Sequence, residues 1–193
     1  MDIKQQQDIL DSKKTIVGKP LSTIYEFYLV GDIESPDRYT EWFDIIRNIG
    51  PHDVVRLYIN SVGGDLFTSI QFRNVIKQCQ GTIMIEVEGA CMSAATMIML
   101  ASDNIDISDN SMFMFHNYSG GVIGKGGEMY DNIMHERQWS EQLLRDVYVD
   151  FLEEDEIQQI LDNRDIWMDS TEVIKRLIIR AELYESKKDE ENT

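Results

Sequence analysis

The sequence is poor in cysteine, proline and long apolar runs, and each shortage narrows the class of protein. Its 193 residues include only 2 Cys and 3 Pro. Because Cys79 and Cys91 form no CxxC pair, reduced thiols in a reducing compartment are favoured over a disulfide framework. The longest apolar stretch, near 94–101, is far shorter than the roughly 20 residues that span a bilayer. The N-terminal residues show no apolar signal segment, so we expect a cytoplasmic protein without a membrane partner.

Basic residues are scarce relative to acidic ones. The chain has 18 Lys and Arg against 35 Asp and Glu, which gives a formal net charge of −17. The average field of such a chain repels phosphate groups, so nucleic acid is not an expected partner. Hydrophobic residues make up 42% of the sequence, as is typical of folded proteins, and the length suits a single domain.

Strand and helix patterns alternate along the chain and predict an α/β fold. In order, these patterns cover 25–33, 35–49, 53–61, 65–80, 82–89 and 93–102, beginning with a strand. Alternation of this kind predicts a parallel sheet. Two short strand patterns, NIDIS and SMFMFHN, and the glycine-rich segment YSGGVIGKGG come next.

The ends of the chain differ in composition from its body. We predict a flexible N-terminal arm over 1–24, one domain over 25–183 and a disordered acidic tail over 184–193. A long helical pattern lies within about 125–162, and its acidic residues from Glu153 onward indicate the start of a second helix. Asp169 and Glu172 have the spacing of a capping box for the last helix.

Two strand-to-helix turns could supply a nucleophile and its anion site. Ser93 follows the strand that ends at Gly89, where it is either an ordinary helix cap or a nucleophile. The other turn contains Gly63 and Gly64, which permit a tight turn and a close backbone approach. If the two turns are adjacent, the Gly64 and Ala94 amides can bind the oxygen of a tetrahedral intermediate.

A serine nucleophile needs a base, and the chain contains only three histidines. His52 lies in a polar connection and His135 in a charged helix, so both are expected at the surface. His116 ends the apolar strand SMFMF and is either a core histidine or the base. For the acid that orients the base, Asp165, Asp162 and Asp169 all remain candidates from their positions.

Four ordered motifs resemble those of ClpP, the caseinolytic protease subunit, across nearly all of Tyr25 to Glu172. The segment LYINSVGG resembles the family's Leu-Tyr-Ile-Asn-Ser-Pro-Gly-Gly, and GACMSA resembles its nucleophile segment. FHNYSGG resembles the family's His-Gln-Pro-x-Gly-Gly, and RDIWMDSTE resembles its Arg-Asp segment. The resemblance implies a catalytic triad of Ser93, His116 and Asp165.

The resemblance also implies a ClpP/crotonase-like fold of repeated β-β-α/β-α units with a protruding helical handle. It implies a homo-tetradecamer of two stacked heptameric rings that hydrolyses unfolded polypeptides inside a chamber. Arg164 would link ring contact to the active site, and the N-terminal arm would line the axial entrance. ATP would be used by a partner AAA+ unfoldase and not by this chain.

The sequence departs from the family pattern at four positions. Val62 and Tyr118 replace two prolines, Ala94 replaces a methionine and Leu177 occupies a glycine position. Three rival hypotheses remain open, the first of them because of these departures. They are an inactive ring component or scaffold, a crotonase-type acyl-CoA enzyme, and a Ser-Lys peptidase that uses Lys125.

Two other segments resemble known motifs but lack residues that those motifs require. In GGVIGKGG, Lys125 is followed by glycine where a phosphate-binding loop needs Ser or Thr, so no nucleotide cofactor is predicted. HERQW is not HExxH, and the scattered histidines and cysteines predict no metal site.

Overall fold

Six strands form one sheet at the centre of the molecule. The computed structural model describes residues 21–191, and side chains as far as residue 188. The strands are β1 (Ile24–Ile33), β2 (Val54–Gly64), β3 (Thr82–Met92), β4 (Asn104–Ile107), β5 (Met112–Phe115) and β6 (Ile166–Asp169). Their order is β1-β2-β3-β5-β6, with β4 also paired to β3. Together with the helices, this sheet is consistent with the predicted ClpP/crotonase-like fold.

All strand pairs are parallel except the last, β5 with β6. The central strands bury alternate residues, so that Leu57 and Ile59 of β2 and Ile85 of β3 are at most 1% exposed. Period-2 burial of β-branched and aliphatic side chains is the reason these segments form strands that pack against helices. The predicted parallel sheet is therefore confirmed, with one antiparallel edge strand added to it.

Helices connect the strands and cover the sheet. A short 3-10 helix (Pro36–Tyr39) precedes the α-helices, which are α1 (Thr40–Asn48), α2 (Leu66–Lys77), α3 (Ala94–Met99), α4 (Gly126–Tyr148), α5 (Glu154–Leu161) and α6 (Ser170–Glu191). The predicted second helix near Glu153 is confirmed, because Glu153 caps α5 through a capping box with Glu156. At the start of α6, the Glu172 amide donates to Asp169 Oδ1 at 2.9 Å. Within residues 21–191, no helix has both the length and the apolar character to cross a membrane.

The predicted N-terminal arm and C-terminal tail differ in how much of each the structure describes. Most of the expected arm over 1–24 lies outside the described residues, and Ile24 already belongs to β1. The disordered tail over 184–193 stays a prediction; α6 extends to Glu191, and residues 192–193 lie outside the described residues. Tyr184 donates to Asp150 Oδ2 at 3.1 Å and Lys187 to Asp150 Oδ1 at 3.3 Å. These bonds connect this part of α6 to the segment that follows α4.

The sheet topology brings four chain segments to one edge. Gly63 and Gly64 end β2, Ser93 directly follows β3, and His116 directly follows β5. Because these strands are parallel, their carboxyl ends meet at the same edge of the sheet. Strand β6 runs the other way and pairs Ile166 with Phe115, so Asp165 arrives beside His116 at the start of its strand.

Candidate active site

Ser93 occupies a strained turn between β3 and α3. Its φ is 55° and its ψ is −129°, a conformation that non-glycine residues rarely adopt. The Ser93 amide donates to the Met114 carbonyl oxygen at 2.8 Å, and its own carbonyl oxygen accepts from the Thr96 amide at 3.0 Å. The Ser93 hydroxyl makes no capping bond to α3. The alternative of an ordinary helix cap is therefore not supported, and Ser93 lies on a tight turn from a strand into a helix.

The imidazole of His116 lies directly against the Ser93 hydroxyl. The distance from His116 Nε2 to Ser93 Oγ is 2.6 Å, within the range of a hydrogen bond. His116 is partly buried, and its position follows from β5, where Phe113 and Phe115 are fully buried. The other two histidines, His52 and His135, are both exposed, in agreement with the prediction.

Asp165 approaches His116 from the opposite side but more loosely. Its Oδ1 lies 3.9 Å from His116 Nδ1, and its side chain is 51% exposed. That distance is within ion-pair range but beyond a direct hydrogen bond. The two competing acids are engaged elsewhere, since Asp162 accepts from Gln158 Nε2 at 3.3 Å and Asp169 caps α6. Of the three candidates, Asp165 is the one that the structure brings to His116.

The glycine turn lies in direct contact with the serine turn. Gly63 and Gly64 have φ of +101° and +147°, the left-handed region that favours glycine. A Cβ atom at Gly63 would lie 2.6 Å from Ser93 Cβ and 3.2 Å from the Ala94 nitrogen. The adjacency on which the predicted anion site depends is therefore present.

The amides at this contact differ in their availability. The Gly63 amide donates to Ser61 Oγ at 3.1 Å and is already occupied. Ala94 is the first residue of α3, so its amide has no acceptor within the helix. Gly64, Ser93, Ala94 and His116 all line one cavity. This cavity is where a carbonyl oxygen could meet both turns.

The cavity beside Ser93 has a volume of about 670 Å³ and a mostly apolar wall. Its apolar residues come from α2, α3 and α4, and they are Leu66, Phe67, Met97, Trp139, Leu143, Leu144 and Tyr148. Phe67 and Trp139 stack with their ring centroids 5.7 Å apart. Sequence analysis missed this wall, although the spacing of residues 139, 143 and 144 on one helical face was available as a signal.

The buried hydroxyls of Thr96 and Tyr148 stabilise the turn that contains Ser93. Thr96 Oγ1 donates to the Ser93 carbonyl oxygen at 2.7 Å and lies 2.7 Å from the Tyr148 hydroxyl. Because Thr96 has one hydroxyl hydrogen, Tyr148 must be the donor in the second bond. Burial raises the pKa of Tyr148, which keeps the phenol protonated and able to donate. The sequence contained no signal for this contact.

A second pair of side chains joins the segments that carry His116 and Asp165. Asn117 Nδ2 donates to Asn163 Oδ1 at 3.3 Å, and Asn163 has a φ of +60°. Asparagine adopts this conformation more readily than most residues. Arg164, the predicted inter-ring residue, is exposed, and its amide donates to the Gln159 carbonyl oxygen at 3.0 Å.

The structure also bears on Lys125, the alternative base, and on metal binding. Lys125 is 88% exposed, and its Nζ lies 3.8 Å from Glu128 Oε1. It does not line the cavity of Ser93, so a Ser-Lys pair is not supported. Within the part of the chain that the structure describes, no cluster of three or more His, Cys, Asp or Glu could hold a metal ion.

Comparison with known proteins adds one finding. A family model described as Clp protease matches residues 42–180, which is more than two thirds of the chain. The matched segment includes Ser93, His116 and Asp165 as well as both turns of the cavity. The comparison with curated proteins found no match for this chain.

Proposed function

We propose, from the premise that this chain belongs to the Clp protease family, that it is a serine peptidase acting through Ser93, His116 and Asp165. Membership of this family supports a ClpP-type peptidase activity, and the proposal adds the identity of the nucleophile. The observation that carries it is the 2.6 Å distance between Ser93 Oγ and His116 Nε2. A nucleophile within hydrogen-bond reach of its base is the expected arrangement for acyl transfer.

In the proposed mechanism, Ser93 Oγ attacks the carbonyl carbon of the peptide bond while His116 Nε2 accepts the hydroxyl proton. The Gly64 and Ala94 amides donate to the oxyanion of the tetrahedral intermediate. His116 then gives its proton to the leaving amine, which leaves an ester on Ser93. Water, deprotonated by His116, hydrolyses the ester and restores the hydroxyl.

Asp165 would hold the imidazole in the required tautomer and stabilise the imidazolium. Its 3.9 Å separation from His116 Nδ1 must shorten by about 1 Å for a direct hydrogen bond. We propose that contact between rings, transmitted through the neighbouring Arg164, closes this distance. The exposure of both residues leaves them accessible to such a contact.

Assembly and partners follow from the family and are proposals for this chain. Clp protease family membership implies a ring assembly that works with an unfoldase. We propose two stacked heptameric rings of this subunit, which receive unfolded polypeptides from an AAA+ unfoldase in the cytoplasm. ATP would be consumed by that partner, and this chain would need no cofactor of its own.

The direct test compares Ser93→Ala with wild type on a short fluorogenic peptide and on unfolded casein. Ser186→Ala is a matched control, because Ser186 lies on α6 and is exposed. We expect Ser93→Ala to lose hydrolysis and the control to retain it. Equal rates for Ser93→Ala and wild type would refute the mechanism.

The inactive ring component is the second candidate, and the loose position of Asp165 favours it. A fluorophosphonate probe separates the two candidates, because it labels only a serine that is activated by its base. An adduct on Ser93 in the assembled protein supports the peptidase, and its absence supports the inactive component. The Clp protease match favours either of them over an acyl-CoA enzyme.

A further inference from the structure

A second cavity, of about 590 Å³, lies at the end of strand β3 opposite to Ser93. Its wall includes Thr82 and Ile83, which begin β3, whereas Ser93 follows the last residue of that strand. The end of α2, the segment after α3, the end of α4 and the second half of α6 complete the wall. This cavity is therefore separate from the candidate active site.

Arg73 on α2 is a buried cation in this wall. It is only 9% exposed, and its Nη2 donates to the Asp146 main-chain oxygen at 3.2 Å. A guanidinium has five N–H donors, and within residues 21–188 this is the only hydrogen bond of the Arg73 guanidinium. Burial, followed by the nearby positive charge of Arg180, lowers the pKa of Arg73. The other donors of Arg73 keep access to solvent, so a negatively charged acceptor in the cavity could reach them.

Lys77 adds a second cation, one helical turn further along α2. Desolvation, together with the charges of Arg73 and Arg180, lowers the pKa of Lys77, so the three cations influence one another. Within the side chains that the structure describes, neither Arg73 nor Lys77 belongs to an ion pair. The charge of Asp146, and for Lys77 also that of Asp103, offsets part of this effect, but the pKa of each cation stays lowered, which favours a bound anion.

Among the described side chains, the acids of the cavity form no salt bridge with Arg73 or Lys77. Asp103 contacts Arg180 at 3.3 Å, and Asp150 accepts from Tyr184 and Lys187. Asp146 is exposed and gives Arg73 its main-chain oxygen, not its carboxylate. Arg73 and Lys77 therefore lie in the wall of a cavity of a chain whose net charge is −17.

Arg180 lines the cavity, but its guanidinium already has hydrogen-bond partners in the protein. It donates to the main-chain oxygens of Leu100 at 3.1 Å and Ser102 at 3.4 Å, which holds α6 against the end of α3. The family match ends at residue 180, and Tyr184 and Lys187 lie beyond it. Part of the wall therefore comes from a segment outside the match.

We propose that this cavity binds a small phosphate-class oxyanion, either inorganic phosphate or the phosphate group of a small molecule, with Arg73 and Lys77 as its direct ligands. Arginine presents paired donors to phosphate oxygens, and lysine adds a mobile point charge. The volume leaves room for more than a single phosphate group, as in pockets for small molecules. The site does not depend on the peptidase activity.

Calorimetric titration with inorganic phosphate and with pyrophosphate, in a low-salt buffer without other oxyanions, tests the site. We expect wild type to bind both, with pyrophosphate tighter because it can reach both cations. Arg73→Gln and Lys77→Gln should each raise the Kd by about tenfold or more. Lys125→Gln, which removes an equal charge from an 88% exposed side chain, should change the Kd less than twofold. Ser93→Ala should bind as wild type does.

Two results would overturn the proposal. One is no binding of either anion to wild type at millimolar concentration, and the other is equal binding by wild type and Lys77→Gln. Lys77 is exposed, so its variant is decisive even where Arg73→Gln fails to fold. Absent binding in wild type, combined with an altered subunit number for Lys77→Gln in native mass spectrometry, would reassign the cavity to a contact between copies.

Discussion

Ser93 and His116 follow strands that are paired on both sides, whereas Asp165 precedes the strand at the edge of the sheet. The first two residues meet at 2.6 Å, but the acid lies 3.9 Å from the imidazole and is half exposed. Ser93 and His116 are positioned by the core, so their contact needs only the folded chain. An acid on an edge strand is held by fewer contacts, so its position depends more on what covers that edge.

His116→Ala should have the largest effect on this comparison. Loss of the base from a serine triad lowers kcat by on the order of 10⁶-fold, because the hydroxyl is no longer activated. The measurement is peptide hydrolysis together with fluorophosphonate labelling of Ser93. His52→Ala, which changes an exposed histidine, should retain wild-type rates. Retention of labelling in His116→Ala would contradict the assigned base.

Asp165→Asn should have a smaller effect, on the order of 10⁴-fold in kcat for the assembled protein. Asp162→Asn is the control, since that carboxylate accepts from Gln158 at a helix end. In dissociated subunits, we expect the labelling rate of Ser93 to be insensitive to Asp165→Asn, because the acid is not yet in hydrogen-bond contact. Equal sensitivity in both states would argue against control of the acid by assembly.

Gly63→Ala tests the contact between the glycine turn after β2 and the turn that contains Ser93. A Cβ at Gly63 would lie 2.6 Å from Ser93 Cβ, so we expect a loss of about 2–4 kcal/mol in unfolding free energy and impaired hydrolysis. Gly31→Ala is the matched control, because Gly31 has a φ of +81° but nothing within 4 Å of its added Cβ. Its cost should be backbone strain alone, about 1–2 kcal/mol. Denaturant unfolding measures both, and equal losses would remove the proposed clash.

The smallest effect concerns an ion pair that flanks the Asp165 segment by joining α5 to α6. Arg176 Nη1 donates to Glu156 Oε2 at 2.6 Å, with both side chains 18% exposed. Burial alone would raise the pKa of Glu156, but the hydrogen bonds from Arg176 and the Glu153 amide lower it overall. The stabilisation is therefore present above the ordinary pKa of glutamate and is lost as pH falls through the lowered value.

We expect Glu156→Gln to lose about 1–2 kcal/mol of unfolding free energy at neutral pH. The difference from wild type should shrink as the pH falls through the lowered pKa of Glu156, because the wild-type carboxylate then becomes protonated. Glu154→Gln serves as the control, since that side chain is 73% exposed. Urea unfolding as a function of pH measures the difference, and a difference that grows as the pH falls would contradict the assignment.

The sequence was informative about features that depend on residues close together in the chain. Strand and helix periods predicted the parallel sheet, and the position of His116 at a strand end predicted its arrival at the sheet edge. The positive φ of Gly63 and Gly64 followed from the need for a tight turn. In each case, the residue type is chosen by its own backbone or by its immediate neighbours.

The sequence was less informative where distant segments meet. The antiparallel direction of β6, which delivers Asp165, has no signature in four residues. The bond between Thr96 and Tyr148 joins positions 52 residues apart, and no short-range rule selects it. The hydrogen bonds of Tyr184 and Lys187 to Asp150 likewise join residues that lie far apart along the chain. Such contacts are decided by packing of the whole molecule.

The reversed direction of β6 has a consequence for how the molecule could be regulated. The chain leaves the sheet at His116, passes through α4 and α5, and returns to the sheet at Asp165. Both α4 and α5 thus lie in the chain between His116 and Asp165, and neither lies between Ser93 and His116. Because of this connectivity, a force applied to these two helices can shift the Asp165 carboxylate while the Ser93 hydroxyl and the His116 imidazole stay in place.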